Sequence, residues 1–143
     1  MTRSIEVDYD LPHPPEKVWR ALTEPALLAS WLMENDLQPV IGHRFQFRAP
    51  PMGGWDGIVH GEVLDAVAPR VLRYRWQGGK DEGTGPGSHL DTIVTWTPTP
   101  TATGTRLHLG HAGFLDKDVF AYDNMGKGWR GPLGARLASV LSA

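Results

Sequence analysis

Apolar and polar residues alternate along most of the chain, and the period of that alternation divides it into elements. Ile5, Val7, Tyr9 and Leu11 alternate with Glu6, Asp8 and Asp10, which predicts a strand with one buried and one wet face. Pro12-His13-Pro14-Pro15 ends it. A helix opens at the prolines, whose missing N–H groups cost nothing in a first turn, and Glu16 suits the positive end of its dipole. Val18, Trp19 and Leu22 give that helix one apolar side, Thr23-Glu24-Pro25 breaks it, and Leu27, Leu28, Trp31 and Leu32 form a second short helix. From residue 44 the period becomes two. Phe45 and Phe47 alternate with Arg44, Gln46 and Arg48. Gly57 to Val67 places Val59, Gly61 and Val63 on one face and His60, Glu62 and Leu64 on the other. Leu72, Tyr74 and Trp76 alternate with Arg73 and Arg75; Ile93 to Thr97 puts Val94 and Trp96 together; Leu107, Leu109 and His111 alternate with Arg106, His108 and Gly110. Turn clusters separate these strands, among them Pro50 to Trp55, Ala68-Pro69-Arg70, and a glycine-rich loop over 78–88. No internal repeat or linker interrupts the order.

The last thirty residues return to the helical period. Tyr122, Met125, Trp129, Leu133, Leu137 and Val140 recur at spacings of three and four, one large apolar face that needs a large partner. The strands after residue 44 are joined by turns too short for helical crossovers, so their sheet is antiparallel. The expectation is an α+β domain over 1–143, in the order β-α-α-β-β-β-β-β-α, with a curved antiparallel sheet wrapped around a long C-terminal helix and a cavity between them. Trp31, Phe45, Phe47, Val59, Gly61, Tyr74, Trp76, Trp96, His111, Phe114, Tyr122, Met125, Trp129 and Leu133 are the candidate cavity lining. Loops 50–55 and 78–88 are expected to be mobile and to border its entrance.

The chain of 143 residues suits one domain with a real core. Its formal charge of −2 has no basic stripe, which argues against nucleic acid as a partner. With no cysteine there are no disulfides or thiolate metal sites. No stretch is apolar and long enough for membrane insertion, and the N-terminus lacks a signal-peptide pattern, so a cytoplasmic location is expected.

Chemistry-bearing patterns are sparse. His111 ends a strand on the inward face and is a candidate general acid/base; the competing reading is a neutral core histidine. His60 and His108 fall on the opposite, solvated face. His108 and His111 are three apart on a strand and point to opposite sides, so no metal site is expected. Neither a nucleophile elbow nor a phosphate loop is present. Asp56, Glu62, Asp91 and Asp116 are unpaired in sequence. No cofactor is expected.

Five pieces in order resemble the START/birch-pollen-allergen superfamily, also called the SRPBCC or helix-grip fold. Within it, the chain is similar to homologues of the heat-shock-protein-90 ATPase activator's C-terminal domain. The pieces are Pro15-x-x-Val18-Trp19-x-Ala21-Leu22-Thr23; Leu28-x-x-Trp31; Gly61-Glu62-Val63-Leu64 with Pro69 and Leu72-x-Tyr74-x-Trp76; Gly104-Thr105-Arg106-Leu107-x-Leu109-x-His111-x-Gly113-Phe114; and Gly128-Trp129-x-x-x-Leu133. The resemblance implies the helix-grip fold with its cavity. One departure stands out. Gly126, Gly128, Gly131, Pro132 and Gly134 interrupt a helix that the resembling family usually keeps unbroken. An interior glycine costs about 1 kcal/mol and a proline about 3 kcal/mol. Stretch 125–132 is therefore expected to kink or lose helicity, with Trp129 as a lid side chain.

Three functions follow as expectations. The first is a non-catalytic carrier, sensor or stress-response protein for a small hydrophobic or aromatic molecule, acting as a monomer or weak homodimer. The second is an enzyme of cyclase, aromatase or hydrolase type on a polyketide-like substrate, dependent on His111. The third is a chaperone-interacting module, which needs an exposed apolar or charged patch.

Overall fold

A computed structural model describes residues 2–80, 85 and 87–143. Strand β1 (Arg3–Leu11) leads into α1 (Pro15–Thr23) and α2 (Pro25–Trp31). Both helices start on a proline, and Glu16 stands in the first turn of α1 as the sequence predicts. The indole N–H of Trp31 donates to the carbonyl of Ala21 at 2.9 Å, so α2 is locked against α1.

The strands are β2 (Glu34–Asn35), β3 (Arg44–Arg48), β4 (Ile58–Val67), β5 (Val71–Gly78), β6 (Leu90–Thr101) and β7 (Gly104–Phe114). They form one antiparallel sheet with β1, in the order β1-β7-β6-β5-β4-β3-β2. The two-residue β2 carries no periodicity of its own and exists through its pairing with Phe47 and Arg48. Strand β6 is longer than the expected 93–97 because Pro98 and Pro100 belong to it. They lie where β6 pairs with β7 but has run past β5, whose pairing stops at Leu72↔Trp96, so their missing N–H groups sit where no third strand needs them. A register shift between Val63 and Asp65 ends the clean alternation of β4 near Leu64.

The inner face buries Ile5, Phe45, Phe47, Val59, Val63, Leu72, Tyr74, Trp76, Val94, Trp96, Leu107 and Leu109. The outer face is polar. There His108 lies 2.8 Å from Asp8 and 3.0 Å from Glu6, and the hydrogen bond to Asp8, reinforced by Glu6, holds its imidazole pKa above the ordinary range. His60 is exposed, as its place on that face requires.

A 3-10 turn (Asp116–Asp118) leads into α3 (Val119–Arg130), and α4 (Pro132–Ser142) completes the chain. The expected single long helix is thus two. The interruption is confined to Gly131. Helix α3 tolerates Gly126 and Gly128, and Pro132 opens α4 at a first-turn position instead of kinking a continuous helix. The expectation of lost helicity across 125–132 is corrected to this one joint.

Two glycines separate close packing from mere tolerance. A Cβ at Gly61 would stand 2.3 Å from the ring of Phe45, its cross-strand partner, whereas one at Gly128 would meet only the tip of Leu133 at 3.4 Å. Gly61→Ala should therefore destabilise by about 1–3 kcal/mol through overpacking. Gly128→Ala should be neutral or stabilise by up to about 1 kcal/mol through helix propensity. Urea midpoints of the two variants check this; equal shifts would contradict it.

Candidate functional site

A cleft of about 270 Å³ opens between the first half of β4, the end of β5, the turn at 49–55 and helix α3. Its floor is Val59, Trp76, Leu90 and Trp129, all buried; its rim carries Met52, Phe120 and Asn124, all exposed. Leu32, Met33, Ala121, Met125 and Leu133 complete the apolar wall, and Gly78, Gly79, Gly85 and Ser88 close the side of the glycine-rich loop. Both loops expected at the entrance do border it, through Met52 and Trp55 and through these residues of 78–88. Positions 81–84 and 86 of that loop lie outside the described residues.

Five of the predicted lining residues meet at this cleft: Val59, Trp76, Met125, Trp129 and Leu133. Trp31, Phe45, Phe47, Gly61, Tyr74, Trp96, His111 and Phe114 lie away from its wall, within the packed interior. Tyr122 packs edge-on against Phe114 with its hydroxyl toward the Ser4 carbonyl at 3.4 Å. The reason is that the inward face is largely filled by its own rings. Phe45 and Phe47 sit edge-to-face at 5.2 Å, Phe45 and Tyr74 at 5.3 Å, and Trp31 and Trp96 at 5.8 Å, so most of the expected cavity is solid core. Leu32, Met33, Ala49, Leu90, Phe120 and Asn124, which also line the cleft, escaped sequence reasoning. They come from helix and strand ends and the outer-facing part of α3, where periodicity assigns no inward direction.

His111 is fully buried and its ring is engaged on both sides. The indole N–H of Trp129 donates to Nδ1 at 3.1 Å, and Nε2 lies 2.8 Å from the hydroxyl oxygen of Thr92. An acceptor Nδ1 requires the proton of a neutral ring on Nε2, which then donates to Thr92; the Thr92 hydroxyl in turn donates to the carbonyl of Trp76 at 2.8 Å. Burial pushes the imidazole pKa down to about 3. Of the two readings offered by the sequence, the arrangement is that of the neutral core histidine, with both ring nitrogens bound by side chains.

Trp129 is held at both ends. Besides its indole bond, its backbone carbonyl, in the last turn of α3 beside the break at Gly131, accepts from the hydroxyl of Tyr9 at 2.5 Å. A Cβ at Gly134 would stand 2.7 Å from the Tyr9 ring, so the glycine admits this close approach. At 1% exposure Trp129 is the floor of the cleft, which corrects the lid expectation. The carboxylates Glu62 and Asp91, unpaired in sequence, both approach Arg75 on the outer face, at 3.7 and 3.9 Å. Among the described residues no group of three or more His, Cys, Asp or Glu side chains could hold a metal ion, and no helix is long and apolar enough to cross a membrane.

The family model described as Activator of Hsp90 ATPase homolog 1-like protein matches residues 12–142. The chain belongs to this family. Its fold is accordingly the SRPBCC-type helix grip. Among solved structures, protein MLL2253 of Mesorhizobium loti is 37% identical, covers 98% of this chain and 97% of its own, and superposes with a TM-score of 0.88. Bacillus halodurans BH1534 is 26% identical over 99% of both chains, with a TM-score of 0.76. DynU16, a protein of the dynemicin biosynthetic locus, is 25% identical, with 98% of this chain matching 47% of that one at a TM-score of 0.76. No curated protein matches. The match to the activator-homologue family spans the Gly131 joint, so the break in the last helix is accommodated within the family's fold.

The buried His111 should be visible in the protein's pH-stability profile. The folded pKa of His111 lies near 3 and the unfolded one near 6.5, so between these values the unfolded chain binds a proton that the folded chain refuses. Stability contributed by His111 is therefore present above pH 6.5 and falls as pH drops toward 3, by a total on the order of a few kcal/mol. His111→Gln can reproduce both hydrogen bonds without titrating. It should cost about 1–3 kcal/mol at neutral pH, and its deficit against the wild type should shrink as pH falls. Denaturant titrations across that range check this; a constant deficit would contradict it.

Proposed function

We propose that this protein is a cytoplasmic binding protein, acting as carrier, sensor or stress-response protein, for a small hydrophobic or aromatic molecule held in the cleft beside α3. The observation that carries this reading is the wall itself: about 270 Å³ of space floored by two indoles, rimmed by Met52 and Phe120, and lined at its described positions without a charged side chain. Such a concave, apolar site with few polar groups is the usual form of a small-molecule pocket. The place of the relative DynU16 in a biosynthetic locus is consistent with small-molecule traffic around this fold. A catalytic role for His111 has less support, because both ring nitrogens are committed inside the core and its low pKa keeps it neutral.

The test is a fluorescence titration with the neutral dye N-phenylnaphthylamine. It should bind saturably to native protein. Ala121→Trp places an indole in the cleft from the α3 wall, and should abolish binding while leaving the thermal midpoint within a few degrees. Dye binding unaffected by that substitution would place the site elsewhere.

A second reading has one observation of its own. Leu115, Val119 and Phe120 are 47, 45 and 41% exposed on consecutive turns, the apolar patch that a chaperone-binding module needs. Val119→Glu, outside the cleft wall, should leave dye binding intact and remove association with an Hsp90-type ATPase if that patch is an interface. Equal association by the variant and the wild type would dismiss it.

A further inference from the structure

Of the six tryptophans, four place the indole N–H on an acceptor within the protein. Trp31 donates to the carbonyl of Ala21 at 2.9 Å, Trp55 to the carbonyl of Ile58 at 3.2 Å, Trp96 to the hydroxyl of Tyr74 at 3.0 Å and Trp129 to Nδ1 of His111 at 3.1 Å. Trp19 and Trp76 have no indole partner among the described residues. Trp19 stands on α1, outside the cleft; Trp76 is part of the floor and only 3% exposed. The neighbouring His111, its ring 5.4 Å from that of Trp76, cannot accept, because its two nitrogens are engaged with Trp129 and Thr92. Among the described residues no fully enclosed side-chain nitrogen or oxygen lacks a partner. The unpartnered Trp76 N–H is therefore not fully enclosed, and the open space against this side chain is the cleft.

Resting on the proposed function, we propose that the Trp76 N–H is the polar contact of the floor, donating to a neutral carbonyl oxygen carried on the ring system of the bound molecule. Three physical points support this. The group is a donor only, since an indole nitrogen has no lone pair to offer, so it recognises an acceptor and not a hydroxyl or amine proton. The acceptor is uncharged, because no lysine, arginine or histidine stands on the described wall to balance an anion stripped of its water. The other donors of the half-buried and buried wall are spent: those of Trp55 and Trp129 as above, and the Ser88 hydroxyl on the carbonyl of Gly85 at 2.7 Å. Trp76 is thus the side-chain donor that the described floor leaves free. In a surround this apolar a donor is poorly hydrated, and an acceptor brought to it gains more than the same contact would in water. His111 sets the division between the two indoles: by accepting from Trp129 it removes one donor from the floor, and by having no nitrogen left it leaves the other for the ligand.

The experiment displaces bound N-phenylnaphthylamine with fluorenone and with fluorene, flat molecules of nearly the same shape that differ by a carbonyl oxygen. Fluorenone should compete about three- to tenfold better than fluorene, the worth of one neutral hydrogen bond. Trp76→Phe keeps a ring at the floor and removes the N–H, and should bring the ratio between the two competitors to about one or below. The wild type supplies a second readout that does not depend on the folding of that variant. In isotope-labelled protein the Trp76 indole proton should lie further downfield with fluorenone bound than with fluorene, while the indole protons of Trp31 and Trp96 keep the same positions with both. Fluorenone competing no better than fluorene, an advantage that persists in folded Trp76→Phe, or a Trp76 indole proton at one position with both ligands would overturn the carbonyl contact while leaving the cleft a binding site. No binding by the dye or by either competitor would overturn the proposed function with it.

Discussion

The placement of α3 depends on one buried hydrogen-bond chain. It runs from the Trp129 indole to His111, from His111 to Thr92, and from Thr92 to the carbonyl of Trp76, and so ties α3 to β7, β6 and β5 in turn. In a low-dielectric interior a chain that is satisfied at every member is rigid, and one with a missing member leaves an unpaired group at high cost. The alternatives to this register of α3 against the sheet are therefore poor ones. A helix rotated by one residue would carry the indole away from His111 and bury an imidazole nitrogen without a donor. Ring packing adds to the same choice, with Trp96 and Trp129 edge-to-face at 5.5 Å and Trp76 and His111 at 5.4 Å.

The joint at Gly131 follows from the same arrangement. One straight helix cannot lie both over the β1–β7 side of the sheet and against α1 and α2, which is where α3 and α4 pack respectively. A break frees carbonyls at the end of α3, and a buried free carbonyl needs a donor. Tyr9 supplies it to Trp129 from the facing strand, its phenol pKa raised by burial and its ring admitted by the missing Cβ of Gly134. Glycine and proline that look like defects in a helical pattern are here the parts of a corner between two docked helices.

The sequence pattern exposed most of the fold and, in its named lining residues, about a quarter of the cleft, for a definite physical reason. Period-two alternation reports which face of a strand is inward, and every inward ring from Phe45 to Trp96 is indeed buried. Alternation says nothing about whether inward space is filled or empty. That depends on how rings from different strands mesh, which is a property of the twist and register of the whole sheet. Hence Phe45, Phe47, Tyr74 and Trp96 were right as inward residues and misplaced as cleft lining. The helix break was legible because glycine and proline act locally. Its sharpness was not, because the compensating Tyr9 is 120 positions away. His111 was legible as inward; its neutrality required knowing that Trp129 and Thr92 meet it from opposite sides.

Why space survives beside α3, in a core otherwise crowded with aromatics, can be read from residue size. The cleft is bounded by Ala49, Gly78, Gly79, Ala121 and Gly128, drawn from a turn, a strand end and a helix. At the opposite end of the same inward face, Phe45, Phe47 and Tyr74 pack ring against ring. Some of these small residues have backbone reasons: Gly79 has φ +74°, and a Cβ there would stand 2.0 Å from the Ser88 carbonyl. Gly128 has none of that kind, since it is helical and nearly open to a larger residue, so it carries a helix-propensity cost of about 1 kcal/mol with no local return. Ala121 likewise is helical and lines the cleft. Small side chains at both positions leave room beside the two buried indoles of the floor. An apolar surface left open at a cost in stability is what a ligand-holding wall requires, and a core built for stability alone would fill it.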